Sequence, residues 1–236
     1  MPRTDAVDIS HWQGSVDFPA LAAAGVVGVF HKATEGTSYI DPTYAPRMQL
    51  AQDAGLCWGA YHFLKHGSIS QQMDWFLQQS LLPTGSRVAI DYEDTDCTLD
   101  DLQQALEYLG SQAPDLQVCV YAGGLLKGQV GSDPYPWLSP YALWLAQYTT
   151  GTPTWPTQIW KHWSLWQYTD KGTISGVQGS CDLNTFNGSP DNCALWFGPP
   201  EEPTPAHENV VIDIITPEGV QVVVSVNGET LVGPND

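Results

Sequence analysis

Basic residues are scarce in this chain of 236 residues, where eight Lys and Arg stand against 26 Asp and Glu. The formal net charge is -18. A chain of this charge repels a phosphate backbone, which argues against nucleic acid as a partner. The same sign of charge argues against adhesion to an anionic lipid surface.

Long apolar runs are also missing. No window approaches the roughly 18 consecutive apolar residues that a membrane helix needs. The start, Met1-Pro-Arg-Thr-Asp5, lacks the apolar stretch of a secretory signal. We therefore expect no stable membrane association, and we expect synthesis in a host cytoplasm without a signal peptide.

Paired cysteines and metal-ligand spacings are absent too. The five cysteines include no Cys-x-x-Cys pair and the histidines show no metal spacing, so we expect no zinc site, no full disulfide framework and no cofactor. Cys57 and Cys119 lie in apolar runs and should pack as small hydrophobic residues. Cys181 and Cys193 can pair only if the loop between them folds back, and the sequence leaves this open.

Short β-type runs recur between residues 5 and 187, each followed by a helical or loop-like stretch. This alternation is typical of a parallel sheet with crossovers. Eight runs in so short a stretch predict an irregular, TIM-like (β/α) barrel of the α/β class that is more compact than usual. The runs are Ala6 to Ile9, Val26 to His31, Cys57 to Phe63, Val88 to Asp91, Gln117 to Tyr121, Ala142 to Ala146, Leu165 to Tyr168, and Cys181 to Leu183.

Four helices are indicated in the first half of the chain, over residues 17–24, 43–54, 70–79 and 99–112. Thr98 is the expected N-cap of the last, with Asp100 and Asp101 in its first turn. Beyond residue 112 helical periodicity fades, so we expect reduced helices in the second half of the barrel.

The C-terminal part of the chain changes in composition. We assign residues 1–198 to a catalytic barrel, 199–207 to a stiff linker rich in Pro and Glu, and 208–236 to a small β-hairpin appendage. The hairpin should pair residues 209–215 with 220–226 around a turn at 216–219. A lone hairpin is marginal in water, so an accessory binding module, a self-association element and a docked tail remain open.

Asp91 and Glu93 end the fourth β-type run, Arg87-Val-Ala-Ile-Asp-Tyr-Glu93. Side chains alternate along a strand, so these two carboxyls share a face and Tyr92 takes the other. Two adjacent carboxylates repel, and one of them can retain its proton near neutral pH. Glycosidic bond cleavage requires such a proton donor beside a second carboxylate. The alternative is a solvated strand end with two acids.

Further polar and aromatic residues follow the other predicted strands. In a barrel of this kind, chemistry gathers at the carboxyl ends of the strands. Acids surrounded by aromatic rings and amides suit a sugar-binding groove. The candidates are Asp8, Lys32, Glu35, Tyr61, His62, Phe63, Tyr121, Trp144, Gln147, Tyr148, Trp166, Gln167, Tyr168 and Asp182.

Six motifs in this order resemble family 25 of the glycoside hydrolases, the lysozymes of the fungal Chalaropsis type and of many bacteriophage endolysins. The resemblance spans roughly residues 5 to 188. It rests on Asp8-Ile-Ser-His-Trp-Gln-Gly14, Lys32-Ala-Thr-Glu-Gly36, Gly59-Ala-Tyr-His-Phe63, Asp91-Tyr-Glu93, Trp144-Leu-Ala-Gln-Tyr148 and Leu165-Trp-Gln-Tyr-Thr169, followed by Asp182-Leu-Asn184. No counterpart in the family matches the hairpin tail.

The resemblance implies cleavage of the β-1,4 bond between N-acetylmuramic acid and N-acetylglucosamine in peptidoglycan, as in a phage endolysin. Glu93 would be the general acid and then base, with Asp91 its close partner. Asp8 and Asp182 would be the remaining acids of the site. A retaining outcome is implied, either through direct attack by Asp91 or through the substrate's own acetamido group, which we favour.

Seven residues are candidates for substrate binding: Glu35, Tyr61, Phe63, Tyr121, Trp144, Gln167 and Tyr168. Strand alternation restricts them, because Tyr61 and Phe63 cannot share a face with His62. We expect Tyr61 to face the substrate. Gln167 alternates with Trp166 and Tyr168, so either the amide or the aromatic pair faces inward. A catalytically silent glycan-binding barrel and a chitinase-like hydrolase are the rival functions.

Overall fold

The structure is a computed structural model that describes residues 2–198 and the backbone of two short strands at 224–226 and 229–232. Eight strands of its main sheet close into a barrel, because the first of them pairs with both the second and the last. The strands are β1 Ala6–Ile9, β2 Gly28–Glu35, β3 Tyr39–Ile40, β4 Cys57–Phe63, β5 Arg87–Tyr92, β6 Gln117–Ala122, β7 Ala142–Ala146, β8 Leu165–Gly172 and β9 Cys181–Phe186. The predicted barrel is confirmed, and β3 is a short addition that pairs with the end of β2.

The last strand departs from the predicted parallel pattern. Strand β9 runs antiparallel to both of its neighbours, β1 and β8. Its first residues, and not its last, therefore lie beside the carboxyl ends of the other strands. This reversal places Asp182 opposite Asp8 in the strand register.

The four predicted helices are present, as α1 Phe18–Ala23, α2 Tyr44–Asp53, α3 Ile69–Ser80 and α4 Leu99–Gln112. Helix α4 begins as the sequence predicts, with a capping box between Thr98 and Asp101. The Thr98 hydroxyl accepts from the Asp101 amide at 3.3 Å, and the Asp101 carboxylate accepts from the Thr98 amide at 2.8 Å. Two otherwise unpaired amides are satisfied in this way.

Two helices in the second half were not predicted, α5 Gly124–Val130 and α6 Pro190–Phe197. Helix α6 closes the end of the barrel opposite to the carboxyl ends of the parallel strands. Its Phe197 packs inside the barrel against Phe30, with ring centroids 5.0 Å apart. Arg87 anchors the end of the helix by donating to the Trp196 carbonyl at 2.6 and 2.8 Å. A single short apolar helix has too little periodicity to be read from sequence.

Two apolar layers follow from the alternation of side chains along each strand. The inner layer fills the barrel and includes Phe30, Cys119 and Trp144. The outer layer lies between the sheet and its helices and contains Val29, Val120 and Leu143 from the same strands. Residues on the inner face at the carboxyl ends of the parallel strands therefore point toward the open end of the barrel.

All five cysteines are buried free thiols. Cys57 and Cys119 pack in the inner layer as predicted. Cys181 and Cys193 do not pair: Cys181 lies in the outer layer and Cys193 in the inner one.

The chain divides into two compact units, residues 1–203 and 204–236. In the second unit, β10 Val224–Val226 pairs antiparallel with β11 Glu229–Val232. The predicted strand at 209–215, the turn at 216–219 and the linker at 199–207 lie outside the described residues. No helix among the described residues is long and apolar enough to cross a membrane.

Candidate active site

A small cavity opens at the carboxyl ends of the parallel strands. Its volume is about 70 Å³, and it is lined by Asp8, Tyr61, Asp91, Glu93, Tyr121, Trp144 and Asp182. Strand register brings these residues together, because Asp91 is the partner of Tyr121 and Tyr121 is the partner of Trp144. All four predicted catalytic acids and three of the seven predicted substrate-binding residues therefore meet in one cavity.

Asp8 and Asp182 form a coupled pair of carboxyls on one side of the cavity. Asp8 is buried and accepts hydrogen bonds from the amides of Gln167, at 3.0 Å to each oxygen, and Asn184, at 2.7 Å. Burial raises the pKa of Asp8, and these donors offset part of the rise. Burial, followed by the charge of Asp8 and a hydrogen bond to it, raises the pKa of Asp182 to about 9. The pair therefore holds one proton at neutral pH.

Asp91 and Glu93 form the second pair, at the end of β5. Asp91 is buried, and its Oδ1 has no hydrogen-bond partner among the described residues. Burial raises the pKa of Asp91 well above its usual range, and the charge of Glu93 adds to the rise. Glu93 follows the strand and reaches solvent at the cavity mouth. Its pKa is raised by the surrounding protein, which removes part of its hydration, and by the charge of Asp8.

Lys32 supplies a positive charge near this second pair. It lowers the pKa of both Asp91 and Glu93, opposing the effect of burial. Its ammonium lies 4.7 Å from the centroid of the Phe63 ring and is paired with the Glu35 carboxylate. Glu35 and Phe63 therefore lie at the rim of the site, where they hold Lys32, and neither lines the cavity.

A hydrogen-bonded network of amides and aromatic side chains supports the acids. Gln167 accepts from the hydroxyls of Tyr121, at 2.9 Å, and Tyr148, at 2.8 Å, while it donates to Asp8. On the other side of Asp8, the Trp144 indole donates to the Asn184 side chain at 2.7 Å. This network fixes the orientation of the Gln167 and Asn184 amides that face Asp8, and the site is organised before substrate arrives.

Tyr168, a candidate for substrate binding, does not line this cavity. Tyr168 lies on the outer face of β8, in the outer apolar layer beside Trp166. Gln167 takes the inner face, because its amide has polar partners in the cavity whereas an aromatic pair would leave Asp8 without a donor. His62 likewise faces outward, where it contacts Thr34 and Gln72, and Tyr61 faces inward as predicted.

Three residues with direct contacts in the site received no specific role from sequence: Lys32 and Tyr148 were named only as candidates at strand ends, and Asn184 only as part of a motif. Asn184 was discoverable, because it follows Asp182 by two positions in a strand and therefore shares its face. Tyr148 lies in the loop after β7, where no alternation applies. Within residues 2–198, no group of three or more His, Cys, Asp and Glu side chains is arranged to hold a metal ion.

Known proteins are similar to the barrel in both sequence and fold. Residues 7–177 match the description "Glycosyl hydrolases family 25". The autolytic lysozyme of Clostridium acetobutylicum is 34% identical over 188 residues, which are 77% of this chain and 55% of that protein. This chain therefore spans only about half the length of that relative.

Solved structures show the same architecture. The bacterial lysozyme from Streptomyces coelicolor superposes with a TM-score of 0.71 at 25% identity, covering 81% of this chain and 95% of its own. The CTP1L endolysin superposes with a TM-score of 0.69 at 26% identity, covering 82% of this chain and 70% of its own. With a family match over residues 7–177 and the four carboxyls gathered in one cavity, this chain belongs to glycosyl hydrolases family 25.

Proposed function

We propose that the barrel hydrolyses the β-1,4 bond between N-acetylmuramic acid and N-acetylglucosamine in bacterial peptidoglycan. One observation carries this proposal. Glu93, whose pKa is raised, lies at the cavity mouth beside the buried Asp91, whose Oδ1 has no hydrogen-bond partner among the described residues. A proton donor and an adjacent acceptor are the two groups that hydrolysis of a glycoside with retention requires.

Glu93 is proposed as the general acid and then the general base. Its solvent-accessible position lets a glycosidic oxygen approach, and its raised pKa favours the protonated form that a general acid needs. After the bond breaks, the carboxylate can take a proton from the attacking water. Lys32 limits how far the pKa rises, so the same group can serve in both steps.

Asp91 is proposed to hold the acetamido group of the substrate sugar. The cavity of about 70 Å³ is far smaller than the roughly 300 Å³ at which pockets begin to enclose whole ligands, so it accepts a sugar substituent and not a ring. The free Oδ1 of Asp91 can accept the acetamido N–H and direct the acetamido oxygen to the anomeric carbon. Direct attack by Asp91 is the alternative, and burial, which raises the pKa of Asp91 and so disfavours its charged form, counts against it.

Asp8 and Asp182 are proposed to complete the electrostatic environment. Their shared proton leaves a single negative charge, fixed by Gln167 and Asn184, facing the site where positive charge develops at the sugar. Tyr61, Tyr121 and Trp144 line the cavity that would receive the sugar substituent. Glu35 and Phe63 act through Lys32.

The substrate locates the reaction at the bacterial cell wall. We further propose a role in host lysis, since one structural neighbour of this barrel is an endolysin. The tail beyond residue 208 is proposed as a separate appendage, either a binding module or a self-association element.

Mass spectrometry of the fragments released from purified peptidoglycan tests this function. The native chain should release fragments that end in reducing N-acetylmuramic acid, and folded Glu93→Gln should release about 10²- to 10⁴-fold fewer. Chitin oligomers are the second substrate, because turnover restricted to chitin would favour a chitinase-like hydrolase. No release from either polymer would favour a glycan-binding barrel.

A further inference from the structure

The loop that follows β1 presents a tryptophan to solvent. Trp12 is 80% exposed, more than any other large hydrophobic side chain among the described residues. Burying an aromatic side chain of this size is strongly favourable, so a ligand that covers the Trp12 ring would gain from the contact. The cleavage site described above does not use Trp12.

A buried arginine holds this loop in one conformation. Arg47 of α2 donates to the carbonyl of Ser10 at 2.8 Å and to those of Gln13 and Gly14 at 2.6 Å each. The Ser10 amide in turn donates to the Gln13 side chain at 2.8 Å. Loops without tertiary contacts are mobile, whereas this one is fixed by hydrogen bonds to a charged group. Trp12 is therefore displayed on a preorganised support.

Trp12 belongs to an aromatic strip that leads to the cleavage site. We define the strip as Trp12, His11 and Tyr39. The Trp12 and His11 rings lie 4.6 Å apart, the His11 and Tyr39 rings 6.1 Å apart, and the Tyr39 ring lies 5.6 Å from the Lys32 ammonium. Lys32 is the cation whose charge acts on Asp91 and Glu93. The strip therefore continues outward from the mouth of the cavity.

Polar groups flank the rings along the strip. His11 contacts Asp41 through Nδ1 at 2.9 Å, and the Tyr39 hydroxyl lies 3.1 Å from the same nitrogen. Tyr39 itself is 37% exposed. Ring faces next to fixed hydrogen-bonding groups suit a pyranose, which has apolar C–H faces and an equatorial belt of hydroxyls. A protein partner would need a contiguous apolar patch of several hundred Å², whereas the strip is narrow and interrupted by polar atoms.

We infer that the aromatic strip binds the glycan strand beyond the sugars at the cleavage point, with a pyranose face stacked on Trp12. The inference rests on the proposed function, because it takes the polymer cleaved at Glu93 as the occupant. Binding of the strand at the aromatic strip gives the enzyme a preference for long glycan chains over short ones. Stacking on rings also depends little on basic side chains, which are scarce in this acidic chain.

A series of peptidoglycan glycan oligomers of increasing length tests the inference, with kcat/KM measured for each. The ratio of kcat/KM for the longest oligomer to that for the shortest should fall about three- to tenfold in Trp12→Ala. Trp12→Phe should restore most of the ratio, because a ring face remains. Leu195→Ala is the matched control, since Leu195 is 77% exposed on α6 at the opposite end of the barrel. The control should leave the ratio unchanged.

Binding provides a second readout that does not depend on turnover. In a Glu93→Gln background, calorimetric affinity for the longest oligomer should fall by a similar factor on adding Trp12→Ala. The melting temperature should stay unchanged, because the ring buries little surface. An unchanged ratio and unchanged affinity would overturn the inference, as would an equal loss on all oligomer lengths. If the native chain cleaves no oligomer, the proposed function fails, and the binding comparison still decides the role of the strip.

Discussion

Asp8 of the first barrel strand and Asp182 of the last are direct partners in an antiparallel strand pair. The first and last strands of the barrel thus close it at the point where two carboxyls are electrostatically coupled. Burial and the charge of Asp8 raise the pKa of Asp182 to about 9, so the pair retains one proton at neutral pH.

This pair predicts a stability that depends on pH. A carboxyl whose pKa is raised on folding binds more protons in the folded state, so the free energy of unfolding falls as pH rises from about 4 to about 9. Asp182→Asn removes this contribution and should reduce the slope of the profile over that range, while Asp8, Asp91 and Glu93 keep part of it. Urea denaturation between pH 4 and pH 9 measures the free energy of unfolding of the native chain and of the variant. Parallel profiles would contradict a raised pKa of Asp182.

Lys32 predicts a shift in the pH dependence of activity. Its charge lowers the pKa of Glu93, so Lys32→Met should raise that pKa and keep the acid protonated to higher pH. The alkaline limb of the kcat/KM profile should move upward by about one pH unit. Lys65→Met is the control, because Lys65 pairs with Asp94 and should leave the limb in place. If kcat/KM falls at the same alkaline pH in all three proteins, the charge of Lys32 does not control the pKa of Glu93.

Loss of the Gln167 hydrogen bonds should reduce stability as well as activity. Gln167→Leu keeps the side-chain size but removes the donor to both oxygens of buried Asp8 and the acceptor for two tyrosine hydroxyls. Leaving such groups unpaired should destabilise the fold by about 1–3 kcal/mol. Gln104→Leu, the same change on the exposed face of α4, should cost less than about 0.5 kcal/mol. Equal unfolding free energies for the two variants would show that the network contributes nothing.

The close approach of Gly28 to Phe197 allows a steric test of how helix α6 closes the barrel. A Cβ atom at Gly28 would lie 2.5 Å from the Phe197 ring, so Gly28→Ala should destabilise the fold by about 1–3 kcal/mol. Phe197→Leu in the same chain should recover part of the loss. Gly128→Ala, on α5 with nothing within 4 Å of the new atom, should be neutral or stabilising. Urea denaturation measures the unfolding free energies of the single and double variants. If the effects of the Gly28 and Phe197 changes simply add, the two residues do not interact and the steric explanation is wrong.

Much of the fold was readable because its signals are local. Each barrel strand appeared as a short apolar run, and Thr98 with Asp101 marked the start of α4. Helix α6 was not readable, because its apolar residues face the barrel interior only once the barrel has closed. The antiparallel direction of β9 was also hidden, since a short strand carries no sign of the direction in which its neighbours run.

The sequence by itself determined that Asp91 and Glu93 share a face, because side chains alternate along any strand. It also determined the family, because the motifs occur in the family's order. Only the tertiary structure decided that Gln167 faces the cavity and Tyr168 does not, since alternation allows either face and the choice depends on which side holds Asp8. Only the tertiary structure placed Asp182 against Asp8, because that contact depends on closing the barrel with a reversed strand.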